Sequence, residues 1–190
     1  MRLNLGCGHD RKDGWHNVDK IAAAEPDEVA DLEQLPWPWA DDAAEEVLLR
    51  HVLEHLGAAT ETYLGIMREL WRICRPGALV RVIVPHPRHD HYLNDPTHVR
   101  PVTPQSLEMF SQKKNREWIA KGLGNTPLGL YTGIDFELVS VDMLPDEPWR
   151  GRLQRGEMQP GELQQAMRLY NNVIMETTVV MKAVKPASAA

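Results

Sequence analysis

Histidines cluster in one segment of this chain. Four of the eight histidines in the 190 residues lie between His86 and His98, together with Asp90 and Asp95. Imidazole and carboxylate groups bind divalent metals, and imidazole is also a general base near neutral pH. The segment therefore allows three interpretations: a loop shaped by its own hydrogen bonds, a substrate-binding site with a general base, or a metal site.

We favour the loop, because irregular backbone can bring almost any of these side chains together and their spacing selects no particular geometry. A role in binding substrate or accepting a proton comes second. No bound metal is expected; if one binds in this segment, the ligand candidates are His86, His89 and His91.

A second histidine pair precedes this segment. The run from His51 to His55 matches H-x-x-E-H, the inverted zinc-peptidase motif, with Glu54 as its acid. On a helix, His51 and His55 would share one face and could bind one zinc ion. Because Gly57 would end that helix early and the motif follows a predicted strand, a metal-dependent hydrolase is the less favoured hypothesis.

The composition excludes several classes of protein. Lys and Arg total 21 against 27 Asp and Glu, a net charge of -6, which argues against a nucleic-acid partner. Cys7 and Cys74 are too few and too far apart for a disulfide framework or a cysteine metal site. No apolar run is long enough to span a membrane and the first residues lack a signal-peptide core, so we expect a cytoplasmic protein without a membrane partner.

The elements that would position these residues alternate along the chain. Helices are predicted over residues 50–56, 60–74, 104–118 and 161–170, and strands over 2–5, 15–19, 29–32, 46–49, 78–84, 136–143 and 177–184. Such alternation predicts a mostly parallel sheet with helices packed on it. Ligands in these sheets bind outside the carboxyl ends of the strands.

A glycine turn follows the first strand. Gly6 and Gly8 allow backbone to approach a ligand closely. A dinucleotide fingerprint would need glycine where Arg11 stands, and no G-K-[ST] sequence for a triphosphate follows. What remains is a ligand with a ribose and no pyrophosphate. Asp19, at the end of the second strand, could accept hydrogen bonds from both ribose hydroxyls, and residues 31–32 could hold an adenine.

Five segments, in chain order, resemble the motifs of class I S-adenosylmethionine-dependent methyltransferases, in particular small type-11-like members. They are residues 4–8 (NLGCG), 14–19 (GWHNVD), 31–37 (DLEQLPW), 45–56 (EEVLLRHVLEHL) and 67–77 (MRELWRICRPG). The resemblance covers about residues 2–86, and the late strand pair fits the family's C-terminal hairpin.

The resemblance implies a doubly wound α/β fold in three layers (α/β/α), whose mostly parallel seven-stranded sheet has a C-terminal antiparallel strand. It implies one domain over residues 1–185, with S-adenosylmethionine as cofactor. Gly6 and Gly8 would line the methionine moiety, Asp19 the ribose, and Asp31 with Leu32 the adenine. His51 would lie near the sulfonium, and the candidate cofactor-binding set is completed by Asn4, Cys7 and Arg50.

The acceptor would be bound by segments 85–103 and 145–170, and we expect a small molecule. If it must lose a proton, His51, His55 and His98 are the candidate catalytic bases. Asn4 stands where the family commonly has an acid, and only residues 6–15 connect the first two strands. These departures favour one alternative, a protein that binds the cofactor without transferring its methyl group. A homodimer and a disordered tail at residues 186–190 are further expectations.

Overall fold

The computed structural model describes residues 1–185, so the predicted tail lies outside the described residues. In this described part of the chain, seven strands form one mixed sheet in the order β3-β2-β1-β4-β5-β7-β6. Strands β1 to β5 pair in parallel, and β7 is antiparallel to both of its neighbours. The strands are β1 (Arg2–Leu5), β2 (His16–Asp19), β3 (Glu28–Val29), β4 (Ala44–Arg50), β5 (Cys74–Pro85), β6 (Phe136–Pro145) and β7 (Ile174–Ala183).

The strand order reverses beside β1. The chain runs from β1 outward to β2 and β3, and then returns to place β4 on the other side of β1. The loops that leave β1 and β4 therefore separate in opposite directions at the carboxyl edge, which opens a crevice there.

Within residues 1–185, seven α-helices accompany the sheet: α1 (Thr60–Ile73), α2 (Asp90–Leu93), α3 (Pro104–Glu108), α4 (Gln112–Ala120), α5 (Leu128–Thr132), α6 (Trp149–Gln154) and α7 (Pro160–Leu169). Helix α1 has the apolar spacing of three and four that predicts a buried face, and Ile66, Met67 and Leu70 are fully buried. None of the described helices has the length and apolar composition needed to cross a membrane.

The two faces of the sheet are covered differently. On one face, Leu5, Val47, Val82 and their neighbours form one core with α1, and burying each such side chain contributes about 2 kcal/mol. On the other face, Leu79, Arg81 and Ser140 are exposed, while the connection after β1 covers Asn4. The mostly parallel seven-stranded sheet and its antiparallel C-terminal strand are confirmed. The second helical layer is only partly realised, because residues 6–15 form turns and no helix.

Three element predictions are wrong in detail. The third strand is Glu28–Val29 and not 29–32, and the helix predicted over 104–118 is divided into α3 and α4, with Ser111 capping the second. The helix predicted over 50–56 is absent. His51 instead extends the β4–β5 ladder by donating its N–H to the Ile83 carbonyl (2.8 Å), and only Leu53–His55 form a single 3-10 turn. His51 and His55 therefore do not share a helical face.

Candidate functional site

Two cavities lie side by side at the carboxyl edge of the sheet. The first, which we name the glycine cavity, has a volume of about 400 Å³. It opens between the ends of β1, β2 and β4, in the crevice where the strand order reverses. Its lining residues are Gly6, Asp19, Lys20, Ala30, Asp31, Leu32, His51, Val52, His55, Leu56 and Thr97.

The backbone of the glycine turn forms one wall of this cavity. Gly6 has a φ of 67°, and a Cβ atom added there would lie 2.4 Å from a methyl carbon of Val52. Both the left-handed backbone and the close approach therefore require glycine at this position. Gly8, with a φ of 48°, donates its N–H to Oδ2 of Asp19 over 2.8 Å.

Two aspartates stand at the ends of neighbouring strands. Asp19 also accepts the Ile21 N–H on Oδ1 (2.9 Å), so the backbone on either side fixes its carboxylate. Each carboxylate oxygen has a second lone pair, which leaves Asp19 able to accept further hydrogen bonds. Asp31 is fixed in the same way by the Glu33 N–H (2.9 Å), and the adjacent Leu32 is buried.

The structure brings together part of the predicted cofactor set. Gly6, Asp19, Asp31, Leu32 and His51 line the glycine cavity, whereas Asn4, Cys7, Gly8 and Arg50 do not. Cys7 and Gly8 belong to the turn itself, and Asn4 and Arg50 contact Asp10 beside it.

Each of the four has a structural partner near that turn. Asn4 Nδ2 donates to the Asp10 carbonyl (2.9 Å) and to Asn17 Oδ1 (3.0 Å). The Cys7 N–H donates to the Val18 carbonyl (2.9 Å), and burial is the main cause that raises the pKa of its thiol.

The second cavity, which we name the histidine cavity, has a volume of about 410 Å³. It shares His51 and His55 with the glycine cavity, so these two residues form the boundary between them. Its lining residues are His51, Glu54, His55, Pro85, His91, Asp95, His98, Met175 and Glu176. All three predicted catalytic histidines therefore reach it.

His51 lies between two carboxylates. Its Nε2 is 3.0 Å from Oε2 of Glu176, and its Nδ1 is 3.5 Å from Oε1 of Glu54. The contact with Glu54 is the main cause that raises the pKa of the His51 imidazole above its ordinary value, and the charge of Glu176 adds to it. The backbone of His51 is also strained, with a φ of 53°.

Glu176 is a site residue that sequence reasoning missed. It lies near the start of β7, about 125 positions from His51 along the chain. A single acid at the edge of an apolar strand gives no signal in the sequence, since only the β5–β7 pairing brings it to the cavity. Glu54, by contrast, has a signal in the sequence, because it is the acid of the H-x-x-E-H match.

The predicted metal candidates of the histidine segment do not come together. His89 is buried, and both of its ring nitrogens are engaged: Nε2 donates to Oδ2 of Asp146 (3.0 Å), and Nδ1 accepts the His91 N–H (3.0 Å). His86 Nδ1 accepts the Arg88 N–H (3.2 Å). Across residues 1–185, the group with metal-ligand proximity is Glu54, His55 and His98.

No family model and no curated protein matches this chain by sequence. Solved structures do match it. One is an S-adenosylmethionine-dependent methyltransferase from Archaeoglobus fulgidus, with a TM-score of 0.63 and 15% identity over 95% of this chain and 85% of that chain. Another, from Methanosarcina mazei, has a TM-score of 0.56 and 13% identity over 97% and 92%. The [4+2]-cyclase SpnF has a TM-score of 0.54 and 14% identity over 97% and 75%.

At 13 to 15% identity these likenesses establish the fold. The chain has the fold of the class I S-adenosylmethionine-dependent methyltransferases, which confirms the fold expected from its motifs. The cyclase shows that proteins with this fold are not limited to one described activity.

Proposed function

We propose that this protein transfers the methyl group of S-adenosylmethionine to an acceptor bound in the histidine cavity. One observation carries the proposal: two cavities of similar volume meet at His51 and His55, and only the first is lined by the glycine turn and the two strand-end acids. A donor in one cavity and an acceptor in the other would place the reacting atoms at that boundary.

The glycine cavity offers the contacts that this cofactor needs. Asp19 has lone pairs left for the ribose hydroxyls, and Asp31 with the apolar Leu32 suits an adenine. Gly6 leaves room for the methionine moiety, because its missing side chain keeps the wall beside Val52 open. The resemblance in the sequence assigns the same three roles to these residues.

Methyl transfer from a sulfonium depends mainly on the alignment of the acceptor with the methyl group. The bond between the methyl carbon and the sulfonium sulfur breaks, the sulfur keeps the electron pair, and a lone pair of the acceptor forms the new bond to carbon. The protein contributes by holding the acceptor in line with the carbon–sulfur bond and by excluding water. A neutral hydroxyl or amine acceptor also releases a proton, for which His51, His55 and His98 are the candidate bases.

Replacing Asp19 by alanine tests this assignment. We expect Asp19→Ala to weaken the binding of S-adenosylhomocysteine about tenfold or more, because hydrogen bonds to a charged group are lost. Isothermal titration calorimetry measures the affinity. The exposed Asp13 lies outside the cavity, so Asp13→Ala is the matched control and should bind like the wild type. Equal affinity in Asp19→Ala and the wild type would contradict the assignment.

Methyl transfer needs its own measurement. Release of S-adenosylhomocysteine is followed by mass spectrometry with panels of hydroxyl, amine and carboxylate acceptors of low molecular mass. Product formation with any acceptor supports the enzyme, whereas tight cofactor binding with no product across the panels supports the alternative, a cofactor-binding protein that transfers no methyl group.

The alternative of a zinc hydrolase built on H-x-x-E-H has lost its structural basis. That hypothesis needs His51 and His55 on one helical face, but β4 ends at Arg50, the backbone of His51 is left-handed, and only Leu53–His55 form a 3-10 turn.

A further inference from the structure

The carboxylate of Glu54 is buried without adequate compensation. Its side chain is 1% exposed, and neither of its oxygens has a hydrogen-bond partner among the described residues. Its ion-pair contact is with Nδ1 of His51 at 3.5 Å, and Nε2 of that imidazole is already held by Glu176. A buried carboxylate is costly unless a cation lies next to it. The surroundings of Glu54 therefore leave a place for a further positive charge.

Two imidazoles stand at that place. One ligand atom from each of Glu54, His55 and His98 lies within 4.8 Å of the other two, and the two rings are 4.6 Å apart between centroids. The backbone just after His98 is held against the backbone of Glu54, because the Val99 N–H donates to the Glu54 carbonyl over 2.9 Å. The three side chains are thus held together by backbone contacts as well as by packing.

Hydrogen bonds fix the tautomer of both imidazoles. Nδ1 of His98 is 2.8 Å from the Tyr92 carbonyl, which can only accept, so this nitrogen carries the proton. The Thr97 hydroxyl donates to Oδ1 of Asp95 (2.6 Å) and therefore accepts from Nδ1 of His55 (2.9 Å). In both neutral rings Nε2 is left with a free lone pair. Donation of the other ring N–H to a carbonyl or a polar side chain is the arrangement that orients histidine ligands of metals.

We propose that Glu54, His55 and His98 bind one divalent transition-metal ion in the wall of the histidine cavity. Two imidazoles and one carboxylate suit ions such as Zn²⁺, and three protein ligands leave a position open for water or for an oxygen of the acceptor. The metal site stands on these residues alone. Its use, to hold an oxygen-bearing acceptor beside the methyl donor, rests on the proposed function. With the ion bound to His55 and His98, His51 is the candidate base for the proton of the acceptor.

Calorimetry with zinc tests the site directly. The full chain, free of tags and stripped with a chelator, is titrated with ZnSO₄, and we expect one ion per chain. Glu54→Gln and His98→Ala each remove a ligand and should weaken binding at least about tenfold. His86→Ala removes a histidine of the same segment from outside the group and should bind zinc like the wild type. The visible absorption of Co²⁺ in the same site gives a second readout, which the ligand variants should lose.

A fourth variant covers the case in which the buried Glu54 is needed for folding. Thr97→Val leaves all three ligands in place, and Thr97 is exposed, so the chain should still fold. The change removes the hydroxyl that orients His55, and we therefore expect zinc affinity to fall by about tenfold. Wild-type protein that takes up no stoichiometric zinc or cobalt would overturn the proposal. So would equal zinc affinity in the wild type, His98→Ala and Thr97→Val, or a loss in His86→Ala alone. Asp19→Ala should bind zinc normally, which separates failure of the metal site from failure of the cofactor assignment.

Discussion

The two cavities at the carboxyl edge differ in what forms their walls, which is mainly backbone in one and mainly side chains in the other. The glycine cavity is shaped by backbone: the left-handed Gly6, the N–H groups that fix Asp19, and the strand ladder that continues into Cys7. The histidine cavity is lined by side chains that come from distant parts of the chain, such as the pair of His51 with Glu176. The pair of His89 with Asp146 lies outside this lining and holds the segment that supplies His91.

This difference affects how each cavity responds to mutation. A backbone wall tolerates no added atom, because its shape depends on one conformation and one close approach. A wall of side chains can rearrange when one contact is lost. Changes in the glycine turn should therefore have the larger effects, and contacts around the histidine cavity should have moderate ones.

The largest effect is expected for Gly6→Ala. The new methyl group would overlap Val52, and the left-handed backbone adds strain, so the free energy of unfolding should fall by about 3 kcal/mol. Gly8→Ala is the matched comparison, because its backbone is also left-handed but no atom lies within 4 Å of the added carbon. For Gly8→Ala we expect a loss of about 1 kcal/mol. Urea denaturation measures both; equal losses would show that the close approach to Val52 is not what requires glycine.

A moderate effect is expected for Asp146→Ala. It removes the acceptor of the buried His89 Nε2–H, which should cost about 1 to 2 kcal/mol at neutral pH. The hydrogen bond from His89 is the main cause that lowers the pKa of Asp146. A carboxyl whose pKa is lowered by folding stabilises the protein above its unfolded pKa, and this stabilisation is lost as the pH falls through the folded value.

The difference in unfolding free energy between Asp146→Ala and the wild type should therefore shrink as the pH is lowered below about 4. Urea denaturation between pH 3 and pH 7 measures it. Asp142→Ala, at an exposed position on β6, the strand that ends just before Asp146, serves as the control and should show little effect at either pH. A difference for Asp146→Ala that grows on acidification would contradict the role given to this pair.

The smallest effect is expected for Arg50→Ala. The Arg50 guanidinium is half exposed and contacts Asp10 at 3.3 Å, outside both cavities. The unfolding free energy should change by no more than about 0.5 kcal/mol. Binding of S-adenosylhomocysteine, measured by calorimetry, should change by less than about twofold. If Arg50→Ala lowered the affinity for S-adenosylhomocysteine as much as Asp19→Ala does, Arg50 would be a cofactor-binding residue after all.

The succession of strands along the chain and part of the glycine cavity could be predicted from the sequence, because their signals are local. Gly6 follows β1 directly, Asp19 ends β2, and Asp31 with Leu32 follows β3 closely even though that strand was misplaced. The helix predicted over residues 50–56 was wrong for a tertiary reason. His51 makes a ladder hydrogen bond to Ile83, and no pattern in residues 50–56 reports on that distant partner.

The sequence by itself determined the order of the elements, the turn that requires glycine and the acids at the strand ends, since each depends on neighbours along the chain. Only the tertiary structure decided which histidines act together. It separated His89 from the candidate ligands by pairing it with Asp146, and it joined His98 to Glu54 and His55 across more than 40 positions. Side-chain clusters of this kind depend on strand pairing and loop closure, which bring residues together irrespective of their spacing in the sequence.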